Sequence, residues 1–235
     1  LGVPLVEVAT APDVRSPEHA KETALALGRL LRDTRRVRRG LGSIRQDLNV
    51  SISCGDRVEI KGCQDLDWIP RIIRLEMARQ LHFYRLANDL RSESSLPLLP
   101  PNRESDSRPV ENRVELATKK RIPLSTHDLT ECFSECESDM VSLSVQNGSS
   151  ILGISLPGFS GKIGRKTTDD KGSQLPRLGR ELASAAKLAG VSGIFHSDEL
   201  PAYGITQSEI DSVRSQLSLP ENDAFVLCMA PKWQA

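Results

Sequence analysis

The chain has 235 residues with 31 basic and 31 acidic side chains, so its formal charge is zero. No global field draws it to a polyanion, which excludes a histone-like or polybasic tail protein. Hydrophobic residues at 38% with 16 Gly and 14 Pro fit a globular chain of one or two domains rather than a disordered or collagen-like one.

The opening LGVPLVEVAT lacks a basic n-region and an initiator Met. It is therefore read as a strand over Pro4 to Ala9 rather than a signal peptide, and the chain is expected to begin inside a longer polypeptide. Ser16-Pro17 marks a helix start, with Ser as N-cap and Pro at the first helical position. Ala20, Ala24, Leu27 and Leu31 follow at helical spacing and would face the core.

From Ile44 to Lys61 the hydrophobic period changes to two, with turn residues at Ser53-Cys54-Gly55-Asp56, which predicts an antiparallel hairpin. One face carries Ile44, Leu48, Val50, Ile52, Val58 and Ile60. The other carries Arg45, Asp47, Asn49, Ser51, Arg57, Glu59 and Lys61. A long helix is predicted from Trp68 to Arg91, with Ile69, Ile73, Met77, Leu81 and Tyr84 as its apolar stripe.

Pro97, Pro100, Pro101 and Pro109 sit among serines and charges between Ser92 and Arg113, a composition that cannot bury enough apolar area to order itself. Residues 92–113 are accordingly read as a linker between domains at 1–91 and 114–235. Beyond it, Val141, Leu143 and Val145 alternate, Asn147-Gly148 offers a turn, and Leu152, Ile154 and Leu156 alternate again, which predicts a second hairpin. A helix from Leu178 to Ala189 should stop at Gly190. Thr206 and Glu209 form a capping-box pattern that opens a helix to Leu217, and Ala224 to Met229 reads as a buried strand.

The polar face of the first hairpin is the best chemical lead. Asp47 and Glu59 lie on facing strands and can converge with Asn49 and Lys61, and two carboxylates so placed can hold a hard divalent cation and, through it, the phosphates of a nucleotide. Glu7 sits alone in an apolar segment, where an unpaired charge is costly unless it meets a cation. The same pattern also suits the wet side of an antiparallel sheet with cross-strand ion pairs. Arg35, Arg36, Arg38 and Arg39 precede Gly40-Leu41-Gly42, a basic loop that could bind the phosphates of RNA or ATP or simply be solvated.

Three other patterns carry no chemistry. Gly161-Lys162 lacks the glycine five residues earlier, and Ile163 stands where a phosphate loop needs Ser or Thr. His196, Ser197 and Asp198 are contiguous, so they cannot line up as a catalytic triad and are expected to cap and turn. Cys132 and Cys136 have no second ligand pair at zinc spacing. The five cysteines, odd in number and widely spaced, suit a reducing compartment such as the cytoplasm, and no apolar run is long enough for a transmembrane helix.

The segments PLVEVATAPDVRSPEHA, GLGSIRQDLNVSI and RVEIKGCQDLDWIPR resemble the E subunit family of the archaeal glutamyl-tRNA(Gln) amidotransferases, which is related to the bacterial B subunit. LPGFSGKIGR and GIFHSDELPAYGIT look like that family's inserted domain, shared with bacterial aspartyl-tRNA synthetases. The resemblance implies an α+β protein: part of an antiparallel-sheet catalytic cradle followed by a small mixed α/β inserted domain. It implies an ATP- and Mg2+-dependent ligase that phosphorylates the glutamate γ-carboxylate of Glu-tRNA(Gln) and aminates it with ammonia from a partner amidase, the asparaginase-like D subunit, in a cytoplasmic hetero-oligomer.

By that family pattern Glu7, Asp47 and Glu59 fall at acidic metal-site positions. Asn49, Lys61 and Arg45 are added as phosphate or substrate contacts from the shared strand face, and Arg35, Arg36, Arg38 and Arg39 as tRNA contacts. The upstream cradle segment and the helical and tail domains lie outside this sequence, so the isolated chain is expected to be inactive. The alternative is a noncatalytic tRNA-binding or scaffold fragment.

Overall fold

A computed structural model describes residues 2, 4–40, 42–102, 125–168, 175–191 and 193–231. It is an α+β structure with five α-helices and two antiparallel sheets among these residues. The chain divides into two compact units, Leu1–Arg85 with Pro100–Glu104, and Leu86–Leu99 with Ser105–Ala235. Residues 103–113 of the expected linker lie outside the described residues.

In the first unit α1 spans Pro17–Asp33, and the Ser16 side chain accepts a hydrogen bond from the His19 N–H, as the Ser-Pro start requires. β1 (Leu48–Val50) and β2 (Val58–Ile60) pair antiparallel, with Leu48 opposite Ile60, Asn49 opposite Glu59 and Val50 opposite Val58. Leu48, Val50, Cys63 and Ile69 form a small core against which Ala20, Ala24, Ile60, Leu66, Ile72 and Ile73 pack. The Cys63 N–H bonds to the Gln46 carbonyl at 3.0 Å and prolongs the ladder past the strand ends.

The long helix α2 spans Ile69–Glu93 after a short 3-10 turn at Leu66–Trp68. Its buried face departs from the expected stripe. Met77 is exposed, whereas Glu76 and Gln80 are buried. Steps of four residues drift about 40° per step around a helix, so a stripe read as 69, 73, 77 leaves the core face that 69, 73, 76, 80 keeps. Pro4 to Ala9 forms no strand, and Leu5 and Val6 are 79% exposed. A strand needs a partner's N–H and C=O groups, and no described segment pairs with this one.

The second unit is built on a four-stranded antiparallel sheet in the order β3-β4-β6-β5. β3 is His127–Asp128, β4 Ser149–Leu156, β5 Ile194–His196 and β6 Ala224–Pro231. β4 and β6 pair over eight residues, from Ser149 opposite Pro231 to Leu156 opposite Ala224. The sheet is covered on both faces, which is why β6 reads as a continuous apolar run. Phe225 and Leu227 join one core with Leu129, Phe133, Val141, Ile210 and Val213, while Ala224 and Val226 join a second with Leu156 and Ile163. Gly153 is required where it stands, since a Cβ there would run into the Leu129 side chain.

Residues Val141 to Val145, expected as a strand, belong instead to a helix, α3 (Asp139–Gln146). Val141 and Val145 are one helical turn apart and pack on the core, and Leu143 between them is exposed. Asn147-Gly148 ends this helix, with Gly148 at φ +85°, rather than turning a hairpin. α4 (Leu178–Leu188) stops at Gly190, whose φ is +87°. α5 (Gln207–Gln216) begins with the expected capping box of Thr206 and Glu209.

Candidate functional site

The hairpin register decides which polar side chains share a face. Because Leu48 faces Ile60 and Val50 faces Val58 on the core side, Asn49 and Glu59 stand directly opposite one another on the outer side. Asp47 and Lys61 flank them one position beyond the strand ends, on the same face by alternation. All four are exposed.

Glu59 Oε2 lies 3.5 Å from Lys61 Nζ, an ion pair whose members stay 48% and 74% open to solvent, so it can exchange its partner for a ligand at little cost. Asp47 Oδ1 accepts from the Gly62 N–H at 2.9 Å, which fixes one carboxylate oxygen and leaves the other for a ligand. Arg45 is exposed two residues before Asp47.

Glu7 is exposed within the unpaired N-terminal segment, so burial does not make its charge costly there. Among the described residues no three His, Cys, Asp or Glu side chains gather closely enough to hold a metal ion. The hairpin supplies two carboxylates and one amide oxygen. Mg2+ commonly takes one or two carboxylates and completes its shell with waters and substrate phosphates, so this donor set fits a metal that arrives with a nucleotide.

Arg35, Arg36, Arg38 and Arg39 are all exposed beyond the end of α1. The chain turns there through Arg35 at φ +56°, Gly40 at φ +115° and Gly42 at φ +75°, and Leu41 lies outside the described residues. A string of guanidinium groups on an open turn can meet successive phosphates.

The three patterns set aside as decoys have structural roles. The Asp198 carboxylate accepts from the N–H groups of Gly161, Ile163 and Gly164 at 2.9, 2.7 and 2.9 Å, filling with an internal carboxylate the kind of amide nest that elsewhere binds phosphate. Lys162 Nζ contacts Glu93 at 3.0 Å and the Gly158 carbonyl at 2.7 Å. Ser197 Oγ accepts from the Phe225 N–H at 3.3 Å, and His196 is buried beside Gly179. Cys132 and Cys136 donate to Gln216 Oε1 and the Gly204 carbonyl, and burial pushes both thiols up, away from reactive thiolate.

Gln80 and Glu76 were not expected from the sequence to be buried beside the hairpin. Their only signal is position: polar residues on the 69, 73, 76, 80 stripe, where a helix that buries Ile69 and Ile73 should carry apolar groups.

An α+β chain whose first unit displays a two-carboxylate, amide and ammonium face defines a candidate phosphate and metal binder. Its sequence matches the GatB/GatE catalytic domain over residues 1–173 and the GAD domain over residues 141–235. The chain belongs to the GatB/GatE catalytic family. It is 44% identical over 230 residues to the glutamyl-tRNA(Gln) amidotransferase E subunit of Pyrococcus furiosus, covering 98% of this chain and 32% of that protein. The corresponding proteins of Methanocaldococcus jannaschii and Haloarcula marismortui are each 39% identical, over 97% of this chain and 32% of their own length. The chain thus spans about a third of the curated relatives it matches. No helix among the described residues is long and apolar enough to cross a membrane.

Proposed function

We propose that this chain is part of an ATP-dependent tRNA amidotransferase that converts Glu-tRNA(Gln) to Gln-tRNA(Gln). The observation that carries the proposal is the pairing of Asn49 with Glu59, which lines up Asp47, Asn49, Glu59 and Lys61 on one solvent-facing sheet surface. Membership of the GatB/GatE catalytic family and the names of the relatives support it.

A carboxylate and ammonia condense poorly in water because hydroxide is a bad leaving group. Transfer of the ATP γ-phosphoryl group to the glutamate γ-carboxylate releases ADP, and ammonia then displaces phosphate to give the amide. Such chemistry asks the protein mainly to position and to neutralise charge. Asp47 and Glu59 hold Mg2+ by oxygen, and the ion when bound offsets phosphate charge. Lys61, now paired with Glu59, turns toward the phosphates, with Asn49 and Arg45 as further polar contacts. Glu7 would add a third carboxylate once its segment lies against this face. The ammonia comes from a partner amidase, the asparaginase-like D subunit, in a cytoplasmic hetero-oligomer. The exposed Arg35, Arg36, Arg38 and Arg39 meet tRNA phosphates.

The experiment is Mg2+-dependent ATP binding by calorimetry on the full-length protein and on Asp47→Asn, with circular dichroism to verify the fold. The substitution should weaken binding by more than the roughly 10–100-fold typical of residues that merely orient a ligand. Unchanged affinity would refute the site. A second reading is favoured by the open arginine turn. In it the isolated chain is inactive and only binds tRNA or serves as scaffold. It predicts tRNA affinity that falls steeply with salt and needs no nucleotide.

A further inference from the structure

We propose that Gln80 is a positioning residue for the hairpin face that carries Asp47, Asn49, Glu59 and Lys61, a role that rests on that face being the nucleotide site. The hairpin needs such help. Its strands are three residues each, and a two-stranded ribbon of that size is at best marginal alone.

The Gln80 carboxamide is buried against the inner edge of this ribbon, and the residue is only 7% exposed. Its Nε2 donates to the Val50 carbonyl at 3.1 Å, and its Oε1 accepts from the Ile52 N–H at 3.2 Å. One side chain therefore engages a carbonyl and an N–H two residues apart on the same strand edge, as a neighbouring strand's peptide would. The second Nε2 hydrogen goes to Glu76 Oε1 at 2.9 Å. Glu76 is itself buried and also accepts from Arg79 Nη1 at 3.1 Å. The Arg79 guanidinium in turn lies 5.3 Å from the centre of the Phe83 ring.

This chain of contacts makes the hold directional. A carboxylate can only accept, so Glu76 compels the Gln80 amide to turn its NH2 toward it. The reversed amide would set oxygen against oxygen at Glu76 and lose both backbone bonds. Fixing Val50 and Ile52 fixes which β1 side chains face the core, because a slip of one residue would carry Asn49 inward and Val50 outward. The placement of Asn49 on the outer face, where it meets Glu59, is held by the clamp on the strand edge.

The turn is fitted to the same clamp. The Gly55 N–H closes it on the Ile52 carbonyl at 2.9 Å, and a Cβ at Gly55 would run into the Gln80 carboxamide.

The test uses the full-length protein with two substitutions. Gln80→Leu keeps most of the bulk and removes the amide. Gly55→Ala presses on the clamp from the turn and stands in if the first variant fails to fold. Hydrogen exchange of residues 48–60 reads the hairpin, and calorimetry reads affinity for Mg2+-ATP and for tRNA. Both variants should exchange faster in the hairpin and bind Mg2+-ATP about 10-fold more weakly with tRNA affinity unchanged, a split that general destabilisation would not give.

Glu59→Gln, measured alongside, separates the two claims. If Glu59→Gln binds Mg2+-ATP like the parent, the hairpin is not the nucleotide site and the role of Gln80 falls with it. If Glu59→Gln binds weakly while the clamp variants exchange faster yet bind like the parent, the site stands and the positioning role is overturned. Unaltered exchange in both clamp variants would also overturn it.

Discussion

The two sheets of this chain hold their register by different means. In the second unit β4 and β6 share eight residue pairs, and the sheet is sandwiched between a core of eleven buried residues and a second core on its other face. In the first unit β1 and β2 share three pairs over a core of four buried residues, and buried Gln80, itself held by buried Glu76, bonds to the strand edge. Apolar area is non-directional and tolerates adjustment, whereas a hydrogen-bonded clamp is specific and local. The difference teaches that the broad sheet supplies stability and the small hairpin supplies a displayed polar face.

The largest effect that would break this contrast is expected from Phe225→Ala. Phe225 is fully buried in β6, and its truncation should cost about 3–5 kcal/mol, read as a lower urea midpoint for the second unit. A cost below about 1 kcal/mol would show that the sheet does not rest on apolar packing. Next in size is Asp198→Ala. It leaves three backbone N–H groups of the 161–164 loop without their acceptor and should cost about 2 kcal/mol, together with faster hydrogen exchange at Ile163 and Gly164.

The smallest and most specific effect concerns pH. Burial alone would raise the Glu209 carboxyl above its ordinary value of 4.5, but hydrogen bonds from the Thr206 hydroxyl and from the Thr206 and Glu209 backbone outweigh burial and hold it lower. A carboxyl lowered by folding stabilises the folded state fully above its unfolded value and loses that contribution as the pH falls through its folded one. The capping box of α5 should therefore weaken only at acid pH, below the ordinary carboxylate value. Glu209→Gln should be less stable than the parent by about 1 kcal/mol at neutral pH, and the gap should close in acid. A gap independent of pH would mean that the carboxylate's charge is not what matters.

What is legible in the sequence follows the same divide between local and distant causes. The hairpin's two faces are legible because alternation and a Gly-containing turn are local signals, whereas the register that sets Asn49 opposite Glu59 is seen only in the structure. The Ser16 and Thr206 caps and the C-terminal run of β6 were legible for the same reason. Val141 to Val145 misled because alternate apolar residues also satisfy a helical i, i+4 pair when the middle one is exposed, and Asn-Gly ends helices as readily as it turns hairpins. Pro4 to Ala9 has strand composition, but whether a strand forms depends on a partner that no local pattern encodes, and the placement of Glu7 depends on it too. Gln80 and Glu76 were missed because a buried polar pair looks, in sequence, like a helix's wet face.

The most direct test of a metal on the hairpin replaces Mg2+ with Fe2+ in the full-length protein, adds hydrogen peroxide with ascorbate, and maps by mass spectrometry where hydroxyl radicals formed from the peroxide at the bound iron cut the backbone when ATP is present. A nucleotide-bound metal held by Asp47 and Glu59 should give ATP-dependent cleavage around 47–49 and 59–61, lost in the Asp47→Asn, Glu59→Gln double variant. Cleavage elsewhere with the hairpin intact, or cleavage indifferent to the double substitution, would contradict it.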